Sequence, residues 1–233
     1  MSSEENTQQK YRRLATQEYE QSTQEIKIDG PIKTHKAFLK RLAENQNTAI
    51  QNSSEQLACK AGCDYCCVYS RVGAFPVEIF RILSHIRSHF DQEKLKQVSA
   101  EIEARAKILK PLSKDERLSI NKACVFLEEG QCGIYEVRPA TCRNHHALDV
   151  DKCKQAIDEP ENLSIPNTFI EELHLVNEAF TYGHKSAVEN ARLDADFYEL
   201  NIALNEAMNN SKCKKKWTQG KRPFSAAAHL SHR

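Results

Sequence analysis

No apolar run in this chain approaches the roughly 18 residues that a helical membrane span requires, so no membrane partner is expected. Met1 to Gly30 lacks the apolar core of a secretory signal and mixes acidic with basic side chains, which points to the cytoplasm. Net charge is also missing. Lys and Arg number 33 against 32 Asp and Glu, so nothing draws the whole molecule towards nucleic acid or a membrane surface. There is no internal repeat, Walker phosphate loop, dinucleotide glycine fingerprint or nucleophile elbow. Hydrophobic residues, at 40%, are slightly scarce beside 28% charged ones, the balance of a soluble globular chain with polar ends. Its 233 residues suffice for one sizeable domain with a helical extension. Cysteine is the residue this sequence does not lack. An odd count of nine argues against a closed disulfide framework. In a reducing compartment, clustered thiols favour metal or redox chemistry.

Four of the nine fall within nine residues, as Cys59, Cys63, Cys66 and Cys67, spaced C-x3-C-x2-C-C. A second group follows after a long gap: Cys124, Cys132, Cys142 and Cys153. Thiolates at such spacing suit zinc, iron–sulfur or copper(I). Single cysteines are often ordinary buried small residues, but four in so short a window are not. The C-x2-C-x2-C run of ferredoxins is absent, which tilts the choice of metal towards zinc while leaving iron–sulfur open. Cys63 and Cys66 form a C-x2-C chelate, with Gly62 free to take the positive φ of a tight turn. Cys66 and Cys67 are adjacent. In an extended segment they point to opposite faces, so they would serve two metal positions, or one of them does something else. Eight thiols exceed the needs of one tetrahedral ion.

Hydrophobic spacing predicts helices over about 31–52 (Phe38, Leu39, Leu42, Ile50), from Pro76 (Ile79, Leu83, Ile86, Phe90), and from an Asp91 cap to Pro111 (Leu95, Val98, Ile102, Ala106, Leu109). The second and third should form an antiparallel pair. Two more are expected over about 167–191 and 194–209. Val68, Ser70 and Val72 alternate as a short strand would, and the stretch from Val125 to Tyr135 reads as a hairpin turning at Gly130. Pro139 opens a helical turn that carries Cys142. Residues 1–30 read as a flexible polar arm and 210–233 as a solvated basic tail without an acidic side chain. Cys213, among the tail lysines, should have a favoured thiolate and no ligand role.

Other ligand candidates weigh less. His85 and His89 share one helix face but lack the glutamate of H-E-x-x-H, so packing or solvated histidines are the better reading. His145 and His146 follow Cys142, and at least one of them reads as a supporting rather than a ligating side chain. Arg138 and Arg143 bracket Cys142. They either offset the charge of about −2 carried by four thiolates on a divalent ion or form a surface salt bridge.

The combination Cys59-x3-Cys63-x2-Cys66-Cys67, Cys124-Val125-Phe126-Leu127, Cys132-Gly133-Ile134-Tyr135 and Arg138-Pro139-x2-Cys142-Arg143 resembles the YkgJ-type cysteine-cluster family, taken to chelate zinc or iron. The resemblance covers about residues 59–153 and implies that Cys59, Cys63, Cys66, Cys67, Cys124, Cys132 and Cys142 form the metal site, with Cys153 in a more variable eighth place. Flagellin lysine N-methylases carry a similar module, but this chain shows no cofactor fingerprint with which to extend methylation to it. The expectation is a mainly α-helical domain over 31–209, wrapped around a cysteine-thiolate metal centre with one short β-hairpin. Its function would be binding of zinc or iron, including an iron–sulfur cluster. The alternatives are a redox or methyl-transfer enzyme using such a centre and a zinc-stapled module that binds a protein partner; nucleic acid is not an expected partner.

Overall fold

The computed structural model describes residues 6–60, 62–68, 72–113, 116, 117, 120, 122–159, 162, 164–166 and 168–230. In order, its elements are α1 (Thr7–Asp29), α2 (Pro31–Asn52), α3 (Tyr65–Val68), β1 (Gly73–Ala74), α4 (Pro76–His89), α5 (Gln92–Leu109), β2 (Leu127–Glu128), β3 (Gln131–Cys132), a 3-10 turn (Tyr135–Val137), α6 (Ala140–Asn144), α7 (Val150–Asp158), α8 (Glu171–Asn190), β4 (Phe197–Glu199), α9 (Leu200–Asn209), α10 (Lys212–Thr218) and β5 (His229–Leu230). The protein is mainly helical, with 65% helix against 5% strand. Its contacts divide it into two compact units, 1–57 with 169–195, and 58–168 with 196–233.

The first unit is built from α1, α2 and α8. α1 corrects the expected flexible arm. Asn6 Oδ1 accepts from the Gln9 backbone N–H at 2.8 Å and Gln9 Oε1 accepts from the Asn6 N–H at 3.2 Å, a reciprocal cap that starts the helix. Leu14, Ala15, Glu18 and Ser22 form its buried face. Half of that face is polar, so the apolar period is too weak to reveal it. Gly30, at φ 78°, separates α1 from α2, whose first residue is Pro31. α1 runs against α8 so closely that a Cβ on Gly183 would collide with the Ala15 carbonyl oxygen.

The interior of this unit holds a directed polar chain. Arg41 grips Glu18 with Nε at 2.8 Å and Nη2 at 2.7 Å, and reaches Glu25 with Nη1 at 2.9 Å. The Ser22 hydroxyl donates to Glu18 at 2.5 Å and lies 2.9 Å from His184 Nδ1. His184 Nε2 lies 3.0 Å from His35 Nδ1. Because the Ser22 proton goes to the carboxylate, His184 donates from Nδ1 and accepts at Nε2 from His35. Burial first, then the His35 and Arg41 charges, hold His184 well below the usual imidazole range, so it stays neutral.

In the second unit, α9 packs on both α5 and α4. The two helices expected to pair directly therefore share α9 as their main partner. Asp91 caps α5 as the sequence suggests, accepting from Lys94 N–H at 2.8 Å. The segment expected as one helix from Asp194 begins instead as β4, central in a three-stranded antiparallel sheet ordered β1-β4-β5. Gly73 and Ala74 pair with Glu199 and Tyr198, while Phe197 and Tyr198 pair with Leu230 and His229. Buried Glu199 then caps α9, accepting from Ile202 N–H at 2.7 Å. β1 lies after the expected Val68–Val72 strand. Val68 closes α3, and Ser70 falls outside the described residues, as does Asn167 at the expected start of α8.

The basic tail is not a solvated arm. α10 buries Cys213 and Trp217 on one face, and the Trp217 ring lies 5.6 Å from that of Phe80. Phe224 is buried too, 5.0 Å edge-on to Tyr198. Burial raises the Cys213 thiol despite the nearby Lys216, so its thiolate is disfavoured rather than favoured. Among the described residues no helix is long and apolar enough to cross a membrane.

Candidate metal centre

The first thiol stretch turns at Gly62, at φ 82°, and the Cys63 N–H closes onto the Lys60 carbonyl at 3.0 Å. Cys66 and Cys67 then lie in the helical turn α3, with the Cys67 N–H bonded to the Asp64 carbonyl at 2.8 Å. This corrects the extended geometry. Helical neighbours are about 100° apart rather than opposed, and the two thiols touch. Cys66 donates to Cys67, which raises the first thiol strongly and lowers the second.

The second stretch is organised by the hairpin. Its turn uses Glu129 at φ 47° and Gly130 at φ 76°. Leu127 faces Cys132 and Glu128 faces Gln131, so the strands lie just at the turn, and the expected return residues Ile134 and Tyr135 lead into the 3-10 turn. The Phe126 N–H donates to the Cys124 sulfur and the Ile134 N–H to the Cys132 sulfur, both favouring thiolate. Backbone bonds stitch the two stretches together: Cys124 N–H to the Cys67 carbonyl at 2.6 Å and Ala58 N–H to the Ala147 carbonyl at 2.9 Å.

Cys142 rides on α6, which is held by a residue that sequence reasoning missed. Buried Glu78 accepts from the Phe75 N–H at 2.9 Å through one oxygen and from the Ala140 N–H at 2.7 Å through the other. A Glu three residues after the Phe75 cap is a capping signal, but its second grip on α6 is long-range. The Thr141 hydroxyl adds a bond to the Gly73 carbonyl at 2.8 Å. Cys153 sits on α7, which starts at the Asp149 cap and packs on α3.

The thiols fall into two electrostatic neighbourhoods. Cys153 feels the charges of Cys59, Cys63 and Cys66. Cys67 feels those of Cys124, Cys132 and Cys142. Cys66 belongs to both, since its charge also acts on Cys124, Cys132 and Cys142. Desolvation raises Cys59, Cys124, Cys132, Cys142 and Cys153, most strongly Cys142, which also faces Glu78. Cations offset this. Arg138 acts on Cys66 and Cys132, Arg143 on Cys132, and Arg105, also unmarked in the sequence, on Cys124. The Arg138 guanidinium lies 4.1 Å from the Tyr135 ring centroid, while Arg143 binds the Arg138 and Glu136 carbonyls at 3.2 and 2.8 Å. This arrangement favours charge compensation over a surface salt bridge for both arginines.

All nine cysteines are free. Among the described residues, no three His, Cys, Asp or Glu side chains are already gathered at the spacing of a metal shell. The donor set nevertheless fits zinc or iron by its chemistry: soft thiols in two groups, N–H donors aimed at two of the sulfurs, and guanidinium charge beside them. His146 Nδ1 lies 3.1 Å from the Asn144 carbonyl, and burial lowers the neighbouring His145 imidazole. His85 and His89 stack on each other at 4.2 Å, with His85 half-buried and His89 exposed.

Residues 58–164 match the model of the CxxCxxCC family, whose description reads "Putative zinc- or iron-chelating domain". No curated protein and no solved structure matches the chain.

Proposed function

We propose that the protein, whose residues 58–164 match the model of the CxxCxxCC family, chelates zinc or iron at two linked thiolate positions. Cys59, Cys63 and Cys153 serve one position, and Cys67, Cys124, Cys132 and Cys142 the other. Cys66 lies at the junction. The observation that carries this reading is that α3, which bears Cys66 and Cys67, packs on α7 with Cys153 while the Cys67 carbonyl accepts from the Cys124 N–H, so the adjacent pair stands between the two thiol groups. None of the eight is fully buried, and Cys59 is exposed, which supports a centre that takes up and exchanges ions. Bound metal would supply Lewis acidity or, as iron–sulfur, electron transfer. The chain's own part is to present thiolates and balance their charge with Arg105, Arg138 and Arg143.

The test is elemental analysis with visible absorption on protein purified without oxygen, applied to single variants. Cys153→Ser is expected to remove part of the metal and Cys132→Ser a different part, while Cys66→Ser lowers both. A wild-type content of one mononuclear ion, untouched by Cys153→Ser, would end the two-position reading.

Metal removal supplies a second check. An ion bound only by the folded chain stabilises it by about 4 kcal/mol at a thousandfold excess over Kd. A strong chelator is therefore expected to lower the melting temperature of the second unit. The backbone stitches between the stretches should keep its helical circular dichroism intact below that temperature. An unchanged melting temperature after verified metal loss would count against any structural contribution.

A further inference from the structure

The folded C-terminal segment lines an open cavity of about 410 Å³ in the second unit, apart from every thiol assigned above. Three cations line it: Lys110 from the end of α5, Lys216 from α10 and Arg222 beyond it. The amides of Asn205 and Asn209 and the side chain of Ser225 complete its polar wall. Its one carboxylate, Glu206, is already engaged. It accepts from the Ser225 N–H at 2.8 Å and hydroxyl at 2.5 Å, and lies 3.5 Å from Lys110 Nζ. Arg222 binds Asp196 at 2.8 Å through one nitrogen, and its five-donor fork retains others.

We propose that this cavity binds a small phosphorylated molecule. Three cations against the Glu206 and Asp196 carboxylates leave a net positive charge, carried by Lys216, that calls for an anion. Guanidinium and ammonium groups suit the acceptor-only oxygens of a phosphate. The volume lies at the low end of ligand sites, room for a phosphate with a body of monosaccharide size. Pro223, Phe224 and Cys213 supply an apolar floor for that body. A single-stranded nucleic acid fits less well. Trp217 and Tyr198 are buried away from the cavity, and Phe224, only 6% exposed at its floor, offers too little of its ring for base stacking.

Isothermal titration of the full chain with ribose 5-phosphate tests the site, with ribose and succinate as arms for the sugar and for a carboxylate dianion. Saturable binding of ribose 5-phosphate alone is expected. Lys216→Glu should weaken it by about tenfold or more. Lys214→Glu, an exposed lysine of the same helix outside the cavity, should leave it within about twofold. Circular dichroism of each variant controls for folding. No saturable binding up to about 10 mM, equal binding of succinate, or equal loss on Lys214→Glu overturns the proposal. So does tighter, Lys214-dependent binding of a single-stranded oligonucleotide, which would make the whole basic face a polyanion surface.

Discussion

Replacing Trp217 with alanine is expected to destabilise the second unit by about 3–5 kcal/mol, the usual cost of truncating a fully buried large aromatic side chain. Trp217 is 0% exposed and lies against Phe80 of α4. With Cys213 one turn earlier, it is the anchor that turns a lysine-rich segment into a packed helix. A chain cut after Asn210 should fare worse. It loses Trp217, Phe224 and the β5 partner of β4 together, so it should fail to fold its second unit and lose metal as a consequence. Urea unfolding followed by tryptophan-independent circular dichroism checks both variants. A cut chain that unfolds at the full-length midpoint would restore the picture of a solvated tail.

Arg41→Ala is expected to cost the first unit about 3 kcal/mol, the low end for breaking a buried ion pair, because the Arg41 side chain is 23% exposed. The loss comes mainly from what remains. Glu18 is 1% exposed at its side chain and is left with only the Ser22 hydroxyl beside it. Arg41→Met paired with Glu18→Leu should recover much of the loss, since an apolar pair leaves no stranded charge. The same network makes this unit sensitive to acid. His184 is held below its unfolded value, so above about pH 6.5 it is neutral in both states and its contribution is complete. As pH falls below that value the unfolded chain takes up a proton that the folded chain resists, and stability declines by up to about 1.4 kcal/mol per pH unit. Urea midpoints measured between pH 7.5 and 5 should fall accordingly, and a flat profile would show that the folded histidine titrates normally.

How far the chain could be read from its letters depended on the range of the forces involved. α2, α4 and α5 were legible because each carries an apolar stripe and a local start signal: Pro31, Pro76 and the Asp91 cap. α1 was not, because Glu18 and Ser22 occupy its buried face, and their partners Arg41 and His184 lie 23 and 162 residues away. β4 was hidden for a similar reason. Three residues make a strand only when Gly73 and His229, remote in sequence, line up beside them. At the thiols, the spacing pointed to the zinc- or iron-chelating family whose model matches residues 58–164, and the hairpin turn at Gly130 was readable. The conformation between Cys66 and Cys67 was not, and assuming an extended chain there placed them on opposite faces when a single helical turn puts them in contact. Neither Glu78 nor Arg105 sits in a cysteine motif, so nothing local linked them to the centre.

The double grip of Glu78 bears on how ions would come and go. Because it ties the first residue of α6 to the start of α4, Cys142 reaches its post by ordinary folding, and the arriving ion need not recruit it from a wandering loop. Less chain entropy is then charged to binding. Replacement becomes a matter of breaking sulfur bonds one at a time on a standing scaffold. The lifetime of a bound ion would follow the ligand strength of the incoming competitor, such as cadmium against zinc, and not the rate at which the second unit opens.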